Sequence, residues 1–132
     1  MKLSHRADYA LRAISNLADL PKGKLNTINA IAQTESIPRE FLPKLLQDLT
    51  AAGILASFRG VTGGYRLTRP PRKVSFLDVI EAVDGPLHLS LCTESTRCSC
   101  KRDDHCHMHQ FWVAQEKVFR NALSKRHFGT KR

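Results

Sequence analysis

The chain has 132 residues, 42% of them hydrophobic and 25% charged, proportions that suit one folded domain and exclude a fibrous or wholly disordered chain. Lys and Arg number 21 against 12 Asp and Glu, and the resulting net charge of +9 favours a polyanionic partner, nucleic acid ahead of an anionic membrane surface. Residues 1–6 lack the apolar core and cleavage site of a secretory signal, and no apolar run approaches the roughly 18 residues that span a bilayer, so a cytoplasmic chain with no membrane partner is expected.

The positive charge is concentrated. Residues 37–74 carry a net +5 without low-complexity character, whereas residues 75–90 carry −3. A basic segment of mixed composition reads as a binding surface rather than a tail.

Taken in order, Ala7, Ala10, Leu11, Ile14, Leu17 and Ala18 recur at three- and four-residue spacing and predict a helix with one buried face. Ser4 is placed to cap it, Asp8 sits where the helix dipole favours a carboxylate, and Pro21 with Gly23 ends it. Thr27 caps a short second helix with Ile28, Ile31 and Ala32 inward. Pro38 opens a third, whose apolar stripe is Leu42, Leu45, Leu46 and Leu49; Pro43 is tolerable only near the start of that helix. Two short helices joined by a tight turn form a helix-turn-helix, and the early positions Ser36, Arg39, Glu40 and Lys44 would face a DNA major groove. Glu40 has an equally good alternative role as a local cap.

Gly53 closes the third helix. Residues 54–58 read as a strand, Arg59-Gly60-Val61-Thr62-Gly63-Gly64 as a turn, and Tyr65-Arg66-Leu67-Thr68 as a returning strand. A hairpin directly after a helix-turn-helix is a wing. Its glycines would let the backbone approach a phosphate, and Arg59 would enter the minor groove. Pro70-Pro71-Arg72-Lys73 is a stiff connector, after which Ser75 caps a helix with Phe76, Val79, Ile80 and Val83 on one face, ended by Gly85-Pro86.

Chemistry concentrates next. All four cysteines (Cys92, Cys98, Cys100, Cys106) and three of six histidines (His105, His107, His109) fall within residues 91–109. Thiolates and imidazoles this close together can converge on one metal centre, or the thiols can pair on oxidation. In a reducing compartment metal or redox sensing outranks structural disulfides. The segment is too poor in apolar residues to order itself, which suits conditional structure. His5, His88 and His127 read as surface groups. From His107 to Lys125 a further helix carries Phe111, Trp112, Gln115, Val118, Phe119, Ala122 and Leu123 on a stripe broader than a small domain needs. Half the six phenylalanines, Phe128 included, lie in or just beyond it. Packing against a second subunit is expected, so that paired reading heads meet a two-fold symmetric duplex site.

The fold expected is mainly α with a small β-hairpin wing: a winged helix-turn-helix plus a C-terminal dimerisation helix. One compact domain would divide into a DNA-binding region (1–73), a connecting helix (74–90), a cysteine-rich cluster-binding loop (91–106) and a dimerisation helix with a basic tail (107–132).

Taken together, the opening residues 1–4, Asp8-Tyr9-Ala10-Leu11-Arg12, residues 37–46, Arg59-Gly60-Val61-Thr62-Gly63-Gly64-Tyr65-Arg66-Leu67, residues 78–85, and cysteines before a helix with Trp112 resemble the Rrf-two family of bacterial winged-helix regulators, which includes IscR, NsrR and RirA. The resemblance implies a homodimeric repressor or activator, not an enzyme, that binds double-stranded DNA through Ser36, Arg39, Glu40, Lys44, Arg59, Gly60, Thr62, Gly63, Gly64 and Tyr65. It also implies an iron–sulfur cluster, 2Fe–2S or 4Fe–4S, whose state changes DNA affinity. The ligand set stays open. Five residues separate Cys92 from Cys98, as in IscR and NsrR, but seven separate Cys98 from Cys106. Seven between Cys92 and Cys100, then five to Cys106, resembles RirA. Cys92 and Cys106 are thus the common ligands, Cys98 and Cys100 compete for the middle, and His109 (as in IscR), Asp8 (as in NsrR, from the partner) or a fourth cysteine completes the set. Rival expectations are a metal-free thiol switch, in which Cys92 or Cys106 bridges to Cys98 or Cys100, and a structural zinc site with His105 or His109. An iron–sulfur carrier enzyme is the remotest, for the chain has no nucleotide loop and no acid–base set outside the cysteine region.

Overall fold

The computed structural model describes residues 2–94 and 106–129. Helix α1 (His5–Ala18) begins as its sequence predicts, with the Ser4 hydroxyl accepting the Ala7 N–H at 3.0 Å. Thr27 caps α2 (Ile28–Glu35) through the Ala30 N–H in the same way. The chain then reverses through Ser36, which holds φ +55°, and a 3-10 turn (Arg39–Phe41) leads into α3 (Leu42–Ala51). Because the α-helical part starts only at Leu42, Pro43 falls in its first turn, where its missing N–H costs nothing.

Helix α3 ends in a Schellman arrangement. Gly53 takes φ +80°, its N–H reaches the Thr50 carbonyl, and the Ile54 N–H reaches Leu49, each at 3.0 Å. That reversal buries Ile54 and starts β1 (Leu55–Phe58), which pairs antiparallel with β2 (Gly64–Leu67) in the register Leu55 to Leu67 and Phe58 to Gly64. The hairpin is the expected wing, with strand edges shifted by one residue. Asn26 adds a bridge on the outer edge of β2: its N–H donates to the Tyr65 carbonyl (3.1 Å) and its carbonyl accepts the Tyr65 N–H (2.8 Å).

A 3-10 turn (Pro71–Lys73) leads to α4 (Phe76–Asp84), which opens on a full capping box: Ser75 and Asp78 each accept the other's backbone N–H at 3.0 Å. A single helical turn, α5 (Leu91–Glu94), and the long α6 (His107–Lys125) complete the chain. One core joins Ala7, Ala10, Ala13, Ile14 and Leu17 of α1 to Ile31, the four leucines of α3, Leu55, and Val79, Ile80 and Val83 of α4.

Phe128, just beyond the apolar stripe of α6, packs onto its own domain: it is buried against Phe76 (ring centroids 4.8 Å apart), and the residues around it pair with the start of α4 through Phe128 N–H to Val74 O and Phe76 N–H to Arg126 O. Residues after α6 therefore double back into the core. His127 likewise is half-buried in a bridge with Ser75 rather than at the open surface. In both cases the partner lies some fifty residues earlier, beyond any periodicity.

Candidate nucleic-acid interface and metal centre

The helix-turn-helix presents a polar edge. Ser36, Arg39, Glu40 and Lys44 are all exposed, on the turn before α3 and along its first turns. They are not equally free to move. The Arg39 Nε donates to the Asn29 side-chain carbonyl at 2.5 Å, and Lys44 reaches Asp48 at 3.2 Å. Asp48 also accepts from Arg6 at 2.7 Å, so α1 steadies the base of α3.

At the wing, Arg59, Gly60 and Thr62 are exposed, and Val61 stands wholly free at the tip. Arg66, outward on β2, lies over the Phe58 ring at 4.8 Å and adds a second guanidinium to this face. Its exposure follows from strand alternation, which puts it opposite in sense to Leu67. The glycines have an internal reason to be there, distinct from approach to a phosphate. A Cβ on Gly63 would collide with the Phe58 carbonyl, and one on Gly64 would meet the Asn26 carbonyl oxygen at 2.5 Å. Gly60 needs its φ of +108°. Tyr65 is half-buried, packed on the core rather than projecting.

On α1, Asp8 accepts from Arg12 Nε at 3.1 Å and Nη2 at 2.5 Å, and Arg12 Nη1 donates onward to the Glu35 carbonyl at 3.1 Å. The hydrogen bonds that Arg12 donates to Asp8 outweigh partial burial and hold its guanidinium above its ordinary range. Arg12 thereby caps the C-terminal end of α2.

Of the cysteine segment, Cys92 and Cys106 are described and both are half-buried; Cys98, Cys100 and His105 lie outside the described residues. Cys92 sits on α5, with its thiol 3.3 Å from the Ser90 hydroxyl, so the segment begins as a helical turn rather than as loop. Cys106 is the N-cap position of α6, and His109 lies half-buried in the first turn of that helix. Contacts between α5 and α6 bring these two stretches side by side. Among the described residues no three His, Cys, Asp or Glu side chains close on a metal position.

A pair of carboxylates holds the approach to Cys92, which nothing in the sequence pattern pointed to. Glu116 of α6 accepts from the Leu89 N–H (3.2 Å) and the Thr93 hydroxyl (3.2 Å), and its Oε1 lies 3.0 Å from His88 Nδ1. Glu81 of α4 accepts the Leu87 N–H at 2.8 Å and pairs with Arg120 at 2.5 Å. Burial opposes the Glu81 charge, but Arg120 and the Leu87 N–H together prevail and keep this carboxyl below its usual range. Pro86 completes the wall of a cavity of about 450 Å³ among these residues.

Three packed helices, a helix-turn-helix with an exposed basic edge and a two-stranded wing define a winged-helix DNA-binding protein. The sequence matches the family model Rrf2, described as "Iron-dependent Transcriptional regulator", over residues 3–129. The chain belongs to that family and is a DNA-binding transcriptional regulator. A protein of Rhodobacter capsulatus named as an rrf2-like HTH-type transcriptional regulator is 36% identical over 108 residues, covering 80% of this chain and 71% of that one. An HTH-type regulator of Mycobacterium tuberculosis is 38% identical over 87 residues, which is 66% of this chain and 54% of the relative, so the chain spans little more than half the length of that protein. Among solved structures, CymR, the global cysteine regulator of B. subtilis, superposes with a TM-score of 0.80 at 24% identity, over 96% of this chain and 92% of that one. IscR of T. potens follows at 0.77 and 24%, over 96% and 82%. An oxidised form of CymR from Staphylococcus aureus scores 0.74 at 25% identity, over 96% and 92%. The curated relatives and CymR are named as regulators. No helix among the described residues is long and apolar enough to cross a membrane.

Proposed function

We propose that the protein is a homodimeric regulator whose affinity for a two-fold symmetric DNA site is set by an iron–sulfur cluster bound to the cysteine segment. One observation carries this reading: in a family described as iron-dependent, Cys92 and Cys106 flank the segment at α5 and at the start of α6, with His109 one turn further on. Soft thiolates are the usual ligands of such clusters, and imidazole replaces some of them in certain sites. Cys92, Cys106 and either Cys98 or Cys100 would hold it, with His109, the partner's Asp8 or the remaining cysteine completing the set. When bound, the cluster supplies an occupancy that iron supply, oxidants or nitric oxide can alter.

The rest is work for the protein's own side chains. Glu116 and Glu81 fasten residues 87–93 to α6 and α4, so a change in the posture of Cys92 is felt by the helix leading out of the DNA-binding body and by α6 together. Such a change alters DNA affinity only as far as the two postures differ in free energy when DNA is bound. Met108, Phe111, Val118 and Phe119 leave an apolar face on α6, and a second copy of the same helix is the partner that would cover it. Arg39, Lys44 and Arg59, with Ser36, Glu40, Gly60, Thr62, Gly63 and Gly64 around them and Tyr65 packed beneath, would form the DNA-reading face.

Anaerobic purification tests this directly. Brown protein with iron and acid-labile sulfide in equal amounts, and a promoter affinity that changes on cluster removal at fixed salt, is the expected result. Cys92→Ala and Cys106→Ala should abolish loading; one of Cys98→Ala and Cys100→Ala should as well, and both should if the remaining cysteine completes the set. Colourless protein without sulfide ends the cluster reading. It would leave a metal-free thiol switch, which the likeness to the oxidised S. aureus CymR favours as the second reading.

A further inference from the structure

The helix-turn-helix and the wing are separate elements, and a two-stranded hairpin is marginal by itself, so something must fix the angle between them. One attachment is the chain itself: Gly53 and Ile54 run from α3 into β1, and the Thr68 N–H returns to the Ile54 carbonyl at 3.0 Å. The outer edge of β2 instead faces α1 and the residues that lead into α2, to which it has no direct covalent link. There the structure holds a line of polar bonds. Asn16, on α1, donates its side-chain N–H to Glu35 Oε2 at 2.9 Å, and its side-chain carbonyl accepts from Asn26 Nδ2 at 2.8 Å. Glu35 is the last residue of α2, directly before the left-handed Ser36 that turns the chain toward α3. Asn26 is the residue whose backbone exchanges both bonds with Tyr65 of β2.

The bonding roles are forced by chemistry. A carboxylate only accepts, so Asn16 must turn its NH2 to Glu35 and its oxygen to Asn26. Asn26 can meet that oxygen with its own NH2 because its Oδ1 already accepts the Thr27 N–H at 3.1 Å. Every amide hydrogen bond in the line therefore has one workable direction.

We infer that Asn16, Glu35 and Asn26 form a positioning strut that sets the wing against the entrance to the recognition helix, and so sets the sequence discrimination of the bound protein. None of the three needs to touch DNA. This inference rests on the DNA-reading face proposed above. Losing the strut should let the wing rock while leaving Arg39, Lys44 and Arg59 able to meet phosphates. Specific binding then falls, whereas nonspecific binding and its salt dependence hold, because those follow the number of phosphate contacts.

The experiment is a charge-neutral rescue. Asn16→Asp sets a carboxylate against Glu35 and breaks the line. Adding Glu35→Gln supplies a side-chain amide that donates to the new carboxylate, at the wild-type net charge. The probes are a duplex enriched from a random-sequence library by the wild-type protein and a scrambled duplex of equal length. The ratio of the two affinities should drop about tenfold in Asn16→Asp and return to within about threefold in the double variant, the size expected for coupled neighbours. Asn26→Ala, which keeps the backbone bridge, should lower the ratio by about threefold. Thermal melting confirms that each variant is folded; should Asn16→Asp fail to fold, Asn26→Ala decides. An unchanged ratio in a folded Asn16→Asp, or a double variant as poor as the single, overturns the inference. Arg59→Ala separates the failures. If it loses affinity while Asn16→Asp keeps its ratio, the strut alone is wrong; if neither changes, the DNA-reading face is wrong as well.

Discussion

The winged-helix body and the C-terminal arm bury their apolar surface in different ways. In the body every amphipathic face finds its partner in the same chain: Leu42, Leu45, Leu46 and Leu49 of α3 are all at 0% exposure against α1, β1 and α4. Helix α6 is almost twice as long and has no buried residue, while Val118 stands at 64%, Met108 at 56% and Phe111 at 54% exposed. It is held instead by polar and peripheral contacts: Arg120 to Glu81, Glu116 to residues 88–93, Leu123 against the core, and the Phe128 anchor beyond it. The body is thus a finished unit, whereas the arm leaves its largest apolar face exposed.

The sharpest way to break this contrast is to truncate matched residues in the two regions. Leu49→Ala in the body should cost about 2–5 kcal/mol, read from denaturant unfolding, because it opens a cavity that α1 and α4 cannot fill. A cost below about 1 kcal/mol would mean the body is less tightly packed than its burial implies. In the arm, Val118→Asp with Phe119→Ser should leave the far-ultraviolet circular dichroism of the chain intact but weaken self-association by at least about tenfold, measured by sedimentation equilibrium. Undiminished association would place the second copy elsewhere.

A smaller effect separates the arm's polar fastening from its apolar face. The Glu81 carboxyl is held below its ordinary range, so its contribution is present above the usual glutamate range and disappears as pH falls through its lowered value. Both side chains of the Glu81–Arg120 pair are partly exposed, which limits the contribution to about 0.5–1 kcal/mol. Glu81→Gln should remove that acid-range dependence from thermal melts while stability near neutrality falls only slightly. A melting curve that keeps its full acid sensitivity in Glu81→Gln would assign the effect to another carboxyl. The smallest effect belongs to the body. Ser36 adopts a left-handed conformation that costs a non-glycine residue up to about 1 kcal/mol, so Ser36→Gly should raise the melting temperature by a few degrees. A lowered one would mean that the Ser36 side chain supports the turn.

These contrasts also mark how far the chain could be read without its fold. Helix caps at Ser4, Thr27 and Ser75, the α3 leucines, the Gly53 reversal and the wing all rest on neighbours within a few residues, and each stands where the pattern put it. The cysteine segment was equally plain as chemistry, because ligand types and spacings are written along the chain. Glu116 and Glu81 gave no such mark, since the groups they hold lie 23 to 28 and 6 to 39 residues away. Asn16, Asn26 and Glu35 carry no local pattern to single them out, and only the fold brings them into line.

By itself, then, the sequence determined the local structure, the exposed basic edge of the helix-turn-helix and the crowd of thiols, since short-range sterics, capping and periodicity are enough to specify them. Only the tertiary structure decided that Phe128 returns to the core, that the wing glycines serve their own backbone, and that α6 keeps its apolar face uncovered. Those outcomes depend on which surfaces meet, and that is fixed by the packing of elements far apart in the chain rather than by any run of neighbours.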